Sequence, residues 1–174
     1  SCPDDMENII KQYQNSDCLL DGYYRSFYYF YDQISDTTSY EKLRDLVENV
    51  YTNEYLAKVM PKWNTALSSA STMTALPLQR NFFNQYIRSS KDKVIVIISD
   101  ALRYETGRSL CQNLQDDAKC NVKLDAMMSV LPSYTRLGMA ALLPHKTLEM
   151  TDDFKVLTDG VPCDDLKQRE GILQ

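Results

Sequence analysis

The stretch VIVIISDALRYE, residues 94–105, decides the fold class. It begins with five apolar residues and runs directly into Ser99 and Asp100. A continuous run rich in β-branched residues is typical of a central parallel strand that is buried on both faces. In sheets of this kind, ligands bind beyond the carboxyl ends of the strands. The stretch therefore predicts a buried strand that ends at a carboxylate, Asp100, within reach of a ligand.

The residues after this strand predict alternating helices and strands. A helix should carry one apolar face, and a second strand should follow in residues 121–132. A second helix is expected in YTRLGMAALLP, residues 134–144, and a hairpin or strand pair in residues 147–158. Asp159–Gly160 is a further turn signal. The order β-α-β-α-β predicts an α/β fold.

The residues before this strand predict a helical region. Ten of the 12 tyrosines lie within residues 1–90, several of them at helical spacing. This aromatic stripe favours helix–helix packing, although such tyrosines also suit a partner surface. Pro61 is expected to stop or restart a helix, and Pro77 to begin one.

Charge and composition exclude several classes of protein. The net charge of −5 gives no support to nucleic-acid binding through bulk positive charge. No run of 18 apolar residues is present, so we expect no transmembrane helix and no membrane partner. The cysteines form no C-x-x-C pair and the sequence shows no signal-peptide core, which predicts reduced thiols in the cytoplasm. The five cysteines are Cys2, Cys18, Cys111, Cys120 and Cys163.

Two polar residues, Asp100 and Thr135, are the candidates for a shared site. Each follows a predicted strand and precedes a predicted helix, so the two strand ends can bring them together. A carboxylate can bind a divalent metal, and a hydroxyl whose pKa is lowered by a metal can attack a phosphoryl group. A helix N-terminus also favours bound phosphate. The alternative for each residue is a helix N-cap, a role that Asp and Thr often fill.

Five further residues near this pair have two interpretations each. Arg103 and Arg136 suit either a phosphate clamp or a solvated helix charge. Glu105 is either an exposed helix acid or an anchor behind the site. Ser133 is a rival hydroxyl in a predicted turn, and His145, the single histidine, is more often structural than catalytic.

Two motifs make a more specific identification possible. VIVIISDALRYE and VLPSYTRLGMAALLPHKTLE together closely resemble the PglZ family of BREX phage-defence systems, within the alkaline phosphatase superfamily. In the first half, YRSFYYFYDQI, LVENVYTNEYLAKVMPKWN and PLQRNFFNQYI resemble the helical region upstream of the PglZ domain. The resemblance implies a helical region at 1–90, followed at 91–174 by the first half of an alkaline-phosphatase-like α/β domain.

The resemblance also implies a mechanism. Members of the superfamily use two divalent metal ions, usually zinc, and a Ser or Thr nucleophile. On this pattern Asp100 is a metal ligand, and Thr135 is the nucleophile and a second ligand. The remaining Asp and His ligands lie later in such domains. The chain is therefore expected to be a fragment of a longer protein that cannot assemble the two-metal site alone.

The functional prediction is a metal-dependent phosphatase or phosphodiesterase serving phage resistance. Its expected partners are a phosphate-ester substrate, with nucleic acid and nucleotides among the classes considered, and other BREX proteins. The alternative is a structural or partner-binding subunit of the defence complex with little or no catalysis, since a fold does not guarantee activity. A nuclease is a third reading, to which the acidic balance gives no support.

Overall fold

The computed structural model describes residues 3–69 and 76–173 of the chain. It divides into two compact units that are each discontinuous in sequence. The first contains the described residues up to 69 and Leu102–Leu124, and the second contains those from 76 to Ala101 and from Asp125 to 173. The predicted domain boundary between residues 90 and 91 stays a prediction.

The first unit is helical, as its sequence predicts. Asp5 begins the first helix as its N-cap, because its side chain accepts a hydrogen bond of 2.9 Å from the Asn8 amide. The helices are α1 (Met6–Gln12), α2 (Cys18–Tyr31), α3 (Glu41–Asn49), α4 (Ala57–Ser69) and α5 (Tyr104–Gln115). Short segments of other helical geometry complete the unit: Tyr13–Asp17 and Val50–Leu56 are π-helical, and Thr38–Tyr40 is a 3₁₀ turn.

The aromatic stripe of α2 packs helix against helix. The ring of Tyr24 stacks on that of Tyr51, with centroids 3.8 Å apart. The hydroxyls of Tyr24 and Tyr28 both donate to Glu48 Oε2, at 2.8 and 2.7 Å. The stripe therefore joins α2 to α3 and to the π-helical segment that follows it.

The prediction that Pro61 stops or restarts a helix is wrong, because Pro61 lies inside α4. Proline removes one backbone hydrogen bond and crowds the preceding turn. Two contacts lie on the C-terminal side of Pro61. Lys62 Nζ lies 2.7 Å from Asp4 Oδ1, and Ala66 is buried.

The second unit places a helix on a small antiparallel sheet. Its elements are a 3₁₀ turn (Gln79–Asn81), a π-helical segment (Phe83–Ile87), α6 (Thr135–Ala141), β1 (Leu148–Met150), β2 (Val156–Thr158), β3 (Val161–Pro162) and α7 (Leu166–Leu173). Its core consists of Leu137 and Ala140 from α6, with Val156 and Cys163 from the sheet region. The helical start expected at Pro77 is thus a 3₁₀ turn and a π-helical segment.

The hairpins follow the turn signals in the sequence. β1 pairs with β2 in antiparallel register, Glu149 opposite Leu157, as expected for residues 147–158. Thr158 pairs with Val161, so Asp159 and Gly160 form a two-residue loop. Both loop residues have positive φ, 49° and 78°, as a type I′ turn requires.

The two parallel strands expected upstream of this sheet are not formed. Within the described residues, segment 94–99 belongs to no β-ladder, and residues 94–98 are 42–89% exposed. Segment 121–132 makes only one bridge, a parallel one between Met128 and Leu78. A parallel strand needs neighbours along its edges and cover on both faces, whereas a hairpin supplies its own partner locally. The fold class remains α/β, a mostly helical N-terminal region followed by strands and helices.

The cysteines are free thiols wherever the structure describes them. Cys18 and Cys163 are buried, Cys111 is partly buried and Cys120 is exposed. Cys2 lies outside the described residues.

Candidate active site

Asp100 and Thr135 lie side by side in the second unit. Thr135 Oγ1 donates a hydrogen bond to Asp100 Oδ2 across 3.4 Å. This distance is long for a bond between oxygens, so the interaction is weak. Both residues are exposed. The structure thus brings together the two residues that the sequence paired, while their chemical roles stay predictions.

Asp100 is held by a tight local turn. Its Oδ1 accepts a hydrogen bond of 3.0 Å from the Ala101 amide. Ala101 has a φ of 56°, a left-handed conformation that is uncommon for a residue with a side chain. One carboxylate oxygen is therefore engaged by the turn, and the other reaches Thr135. The N-cap of α5 is Arg103, so Asp100 does not fill the capping role that was its alternative.

Thr135 is the first residue of α6, and Tyr134 is the N-cap of that helix. The Tyr134 amide donates to the Pro132 carbonyl at 2.8 Å, and the Leu131–Pro132 peptide bond is cis. Leu137 lies on the buried face of α6, which fixes the helix on the sheet. The Thr135 side chain lies on the exposed side, where it contacts Asp100 instead of capping the helix.

The neighbouring candidates contribute less. Arg136 Nη1 lies 3.9 Å from Asp164 Oδ1, at the outer limit of an ion pair. Ser133 is exposed and makes no hydrogen bond to Asp100 in the described part of the chain. His145 Nδ1 lies 2.7 Å from the Leu143 carbonyl oxygen, which can only accept, so His145 has a structural contact.

Glu105 belongs to the first unit and is not an exposed acid. Its side chain is only 6% exposed and forms an ion pair with Arg25 of α2. Arg103, the N-cap residue of α5, is exposed. Neither interpretation given to Glu105 from the sequence included its partner, because no pattern links residues 25 and 105.

Gln79 is a contact residue that the sequence did not single out. Its Nε2 donates to the Gly138 carbonyl in α6 at 3.1 Å, and its Oε1 accepts from the Val130 amide at 3.1 Å. A single glutamine in a 3₁₀ turn belongs to no motif. The helical start at Pro77 was the nearest signal.

The donor set fits part of a divalent-metal site. A carboxylate and a hydroxyl supply oxygen ligands of the kind that such cations accept. In residues 3–69 and 76–173, no group of three or more His, Cys, Asp and Glu side chains is placed to hold a metal ion. Asp100 and Thr135 would therefore supply two of the ligands and need others beside them.

No helix in the described residues is long and apolar enough to cross a bilayer.

Comparison with known proteins identifies the family. A family model described as the BREX system PglZ alkaline phosphatase-like domain matches residues 78–174, more than half of the chain. The chain belongs to the PglZ family. The match contains both residues of the candidate site. The family therefore connects this exposed pair with an alkaline phosphatase-like domain.

Two curated relatives extend the PglZ likeness beyond the matched domain. The alkaline phosphatase-like protein PglZ of Bacillus cereus (strain H3081.97) is 36% identical over 173 residues, covering 95% of this chain and 20% of the relative. The alkaline phosphatase-like protein BrxZ of Escherichia coli O9:H4 (strain HS) is 37% identical over 146 residues, covering 77% of this chain and 17% of the relative. The chain thus spans about a fifth of the length of these relatives. No solved structure matches it significantly.

Proposed function

We propose that this chain is part of a metal-dependent hydrolase of phosphate esters that acts in a BREX system. Thr135 is the nucleophile, and Asp100 and Thr135 are two ligands of a divalent metal ion, which is zinc by the superfamily's usage. The observation that carries the proposal is the 3.4 Å contact between Thr135 Oγ1 and Asp100 Oδ2. A hydroxyl beside a carboxylate, both open to solvent, is an arrangement that a cation and a substrate can reach together.

The chemistry assigned to these residues is a displacement at phosphorus. A bound divalent cation lowers the pKa of a hydroxyl and offsets negative charge in the transition state. Thr135 Oγ1 gives its proton to solvent and forms a bond to phosphorus, while the bond from phosphorus to the ester oxygen breaks and the leaving alcohol takes a proton from solvent. Water then hydrolyses the phosphothreonine and restores the hydroxyl. Before the reaction, Asp100 Oδ2 orients the hydroxyl by accepting its hydrogen.

The proposal identifies the substrate and the partners only by their class. A phosphate monoester or diester fits this chemistry, and a nucleotide is one such class. The net charge of −5 does not favour a nucleic-acid strand held by this part of the protein. The family description places PglZ domains in BREX systems, which supports other BREX proteins as partners. A cytoplasmic location belongs to the same proposal.

A partner-binding role is the second candidate, and one observation favours it. Tyr23, Tyr29 and Phe30 of α2 are each about two-thirds exposed. Large aromatic side chains are enriched at protein interfaces. In this alternative, α2 would serve assembly of the defence complex and the phosphatase-like domain would contribute little or no catalysis.

The deciding experiment uses the full-length gene product. Wild type, Thr135→Ala and Asp100→Asn are assayed for bound metal and for hydrolysis of p-nitrophenyl phosphate and bis-p-nitrophenyl phosphate with zinc or manganese. Ser133→Ala is the matched control, because it removes an exposed hydroxyl two residues away. We expect turnover in wild type and in Ser133→Ala, and its loss in the other two variants. A wild-type protein with neither metal nor turnover would overturn the hydrolase in favour of the partner-binding role.

A further inference from the structure

The Gln79 side chain links the start of the second unit to the helix that carries Thr135. Its carboxamide uses both ends: Nε2 donates to the Gly138 carbonyl and Oε1 accepts from the Val130 amide, each at 3.1 Å. The Gln79 backbone adds a third bond, from its amide to the Met128 carbonyl at 2.9 Å. One residue therefore contacts both α6 and the segment that leads into it.

The Gly138 carbonyl needs a partner that α6 does not supply. The last four carbonyls of a helix lack an amide one turn further on. In α6 the Leu142 amide, which would be that partner, donates to the Met139 carbonyl at 3.3 Å. Gln79 Nε2 fills the vacant place at Gly138. The side chain thus acts as a C-terminal cap on a helix only seven residues long.

This cap bears directly on the turn that holds Thr135. The Gly138 amide donates to the Tyr134 carbonyl at 2.9 Å, closing the first turn of α6 around Thr135. Gln79 therefore binds the carbonyl of the same residue whose amide closes that turn. Its bond to Val130 fixes the chain five residues before Thr135 as well. One side chain therefore binds the backbone on both sides of Thr135 in the sequence.

We propose that Gln79 is a positioning residue for Thr135, which rests on the proposed function. It keeps the Thr135 hydroxyl at the distance from Asp100 that the displacement needs, without touching substrate. Small errors in the geometry of reacting groups are costly, because a misplacement of about 1 Å can lower a rate about a hundredfold. The weak 3.4 Å contact with Asp100 cannot hold Thr135 by itself.

Two variants of the full-length protein separate the two ends of the carboxamide. Gln79→Glu keeps the oxygen that accepts from Val130 but replaces the donor to Gly138 with a second oxygen. Gln79→Leu removes both bonds at similar size. Gln85→Glu is the matched control, because Gln85 is exposed in the same unit and the change in charge is the same.

The measurements are kcat and KM with p-nitrophenyl phosphate, amide hydrogen exchange at Val130, and circular dichroism to confirm folding. We expect kcat to fall between about tenfold and a hundredfold in both Gln79 variants, with KM nearly unchanged and the control unaffected. Val130 should lose protection in Gln79→Leu and keep it in Gln79→Glu. A general loss of structure would instead change KM and exchange throughout the unit.

The possible failures are distinguishable. Unchanged kcat in Gln79→Leu, in a protein that Thr135→Ala inactivates, would overturn this inference alone. A wild-type protein without turnover would overturn both the inference and the hydrolase. If Gln79→Leu does not fold, Gln79→Glu decides, and a wild-type kcat in that variant is the contrary result.

Discussion

Thr135 and Asp100 are joined by one long hydrogen bond although 35 positions separate them in the sequence. The bond is too weak to account for stability, and both residues face solvent. A weak, exposed contact of this kind can open, so that the carboxylate binds a cation and the hydroxyl meets a substrate. The first prediction tests this proposed role of the hydroxyl.

Two replacements of Thr135 test the contribution of its hydroxyl separately from that of its side-chain shape. Thr135→Val keeps the branched side chain without the hydroxyl, and we expect kcat to fall at least about a thousandfold, as for loss of a nucleophile. Thr135→Ser keeps the hydroxyl and should retain turnover. Steady-state kinetics of the full-length protein provide the measurement. Equal activity in the Val and Ser variants would contradict the assignment.

Breaking the ion pair between Arg25 and Glu105 should destabilise the first unit. Removing one partner of a buried pair costs about 3–5 kcal/mol, and Arg25→Met should cost less because Arg25 is 36% exposed. Urea unfolding measures the change. The double variant Arg25→Met/Glu105→Met should recover most of it, since no uncompensated charge remains.

The exposed pair Arg44 and Asp45 offers the matched control for this experiment. Arg44→Met should lower the free energy of unfolding by less than about 1 kcal/mol. A cost for Arg25→Met no larger than that of Arg44→Met would show that burial of Glu105 does not matter.

Glu48 should make the stability of the first unit depend on pH in the acid range. Hydrogen bonds from Tyr28 and Tyr24 lower the pKa of Glu48 from its usual 4.5. The carboxylate's contribution is therefore present above its pKa in the unfolded chain and is lost as pH falls through the lower folded pKa. Glu48→Gln should flatten this part of the stability curve, measured by urea unfolding between neutral and acid pH. Joint replacement of Tyr24 and Tyr28 by Phe should do the same, and an unaltered curve in both variants would contradict the assignment.

Two glycines in the second unit should respond in opposite ways to alanine. Gly160 has a φ of 78°, so Gly160→Ala should destabilise the β2–β3 turn by about 1–2 kcal/mol. Gly171 lies in α7 with open space around it, so Gly171→Ala should stabilise the helix by about 0.5–1 kcal/mol. Thermal unfolding of both variants measures the contrast. A stabilising Gly160→Ala would contradict the turn, and a destabilising Gly171→Ala would contradict the open surroundings of Gly171 in α7.

Local patterns in the sequence predicted the elements that supply their own partners. The helical spacing of the tyrosines predicted helices in the first unit, and the turn signal at Asp159–Gly160 predicted a turn that is formed, because helical and hairpin hydrogen bonds close within a few residues. The strand predicted at residues 94–98 is not formed, for the opposite reason. An apolar run indicates burial, but the strands that would bury it must come from elsewhere, and the described residues form none beside it.

The same difference between local and long-range contacts explains which parts of the site were predicted. Asp100 and Thr135 were paired from the sequence because the carboxyl ends of neighbouring parallel strands lie close together. The two side chains are in contact in the structure, even though the strands themselves are not formed. Gln79 and the partner of Glu105 were missed, because side-chain contacts over 51 positions or more leave no periodicity in a single sequence. Pro61 lies inside α4 although its local preference is against it, and the burial of Ala66 on the same helix favours the helical conformation.

The excursion of residues 102–124 into the other unit has a consequence for how the site is assembled during folding. Residues 102–124, which include α5, separate Asp100 from Thr135 in the sequence and belong to the first unit. Closing a loop of 35 residues costs about 3 kcal/mol of chain entropy, whereas the two-residue loop at Asp159–Gly160 closes almost freely. We therefore expect the β-hairpins to form on the microsecond scale of local events, and the Asp100–Thr135 contact to form after them.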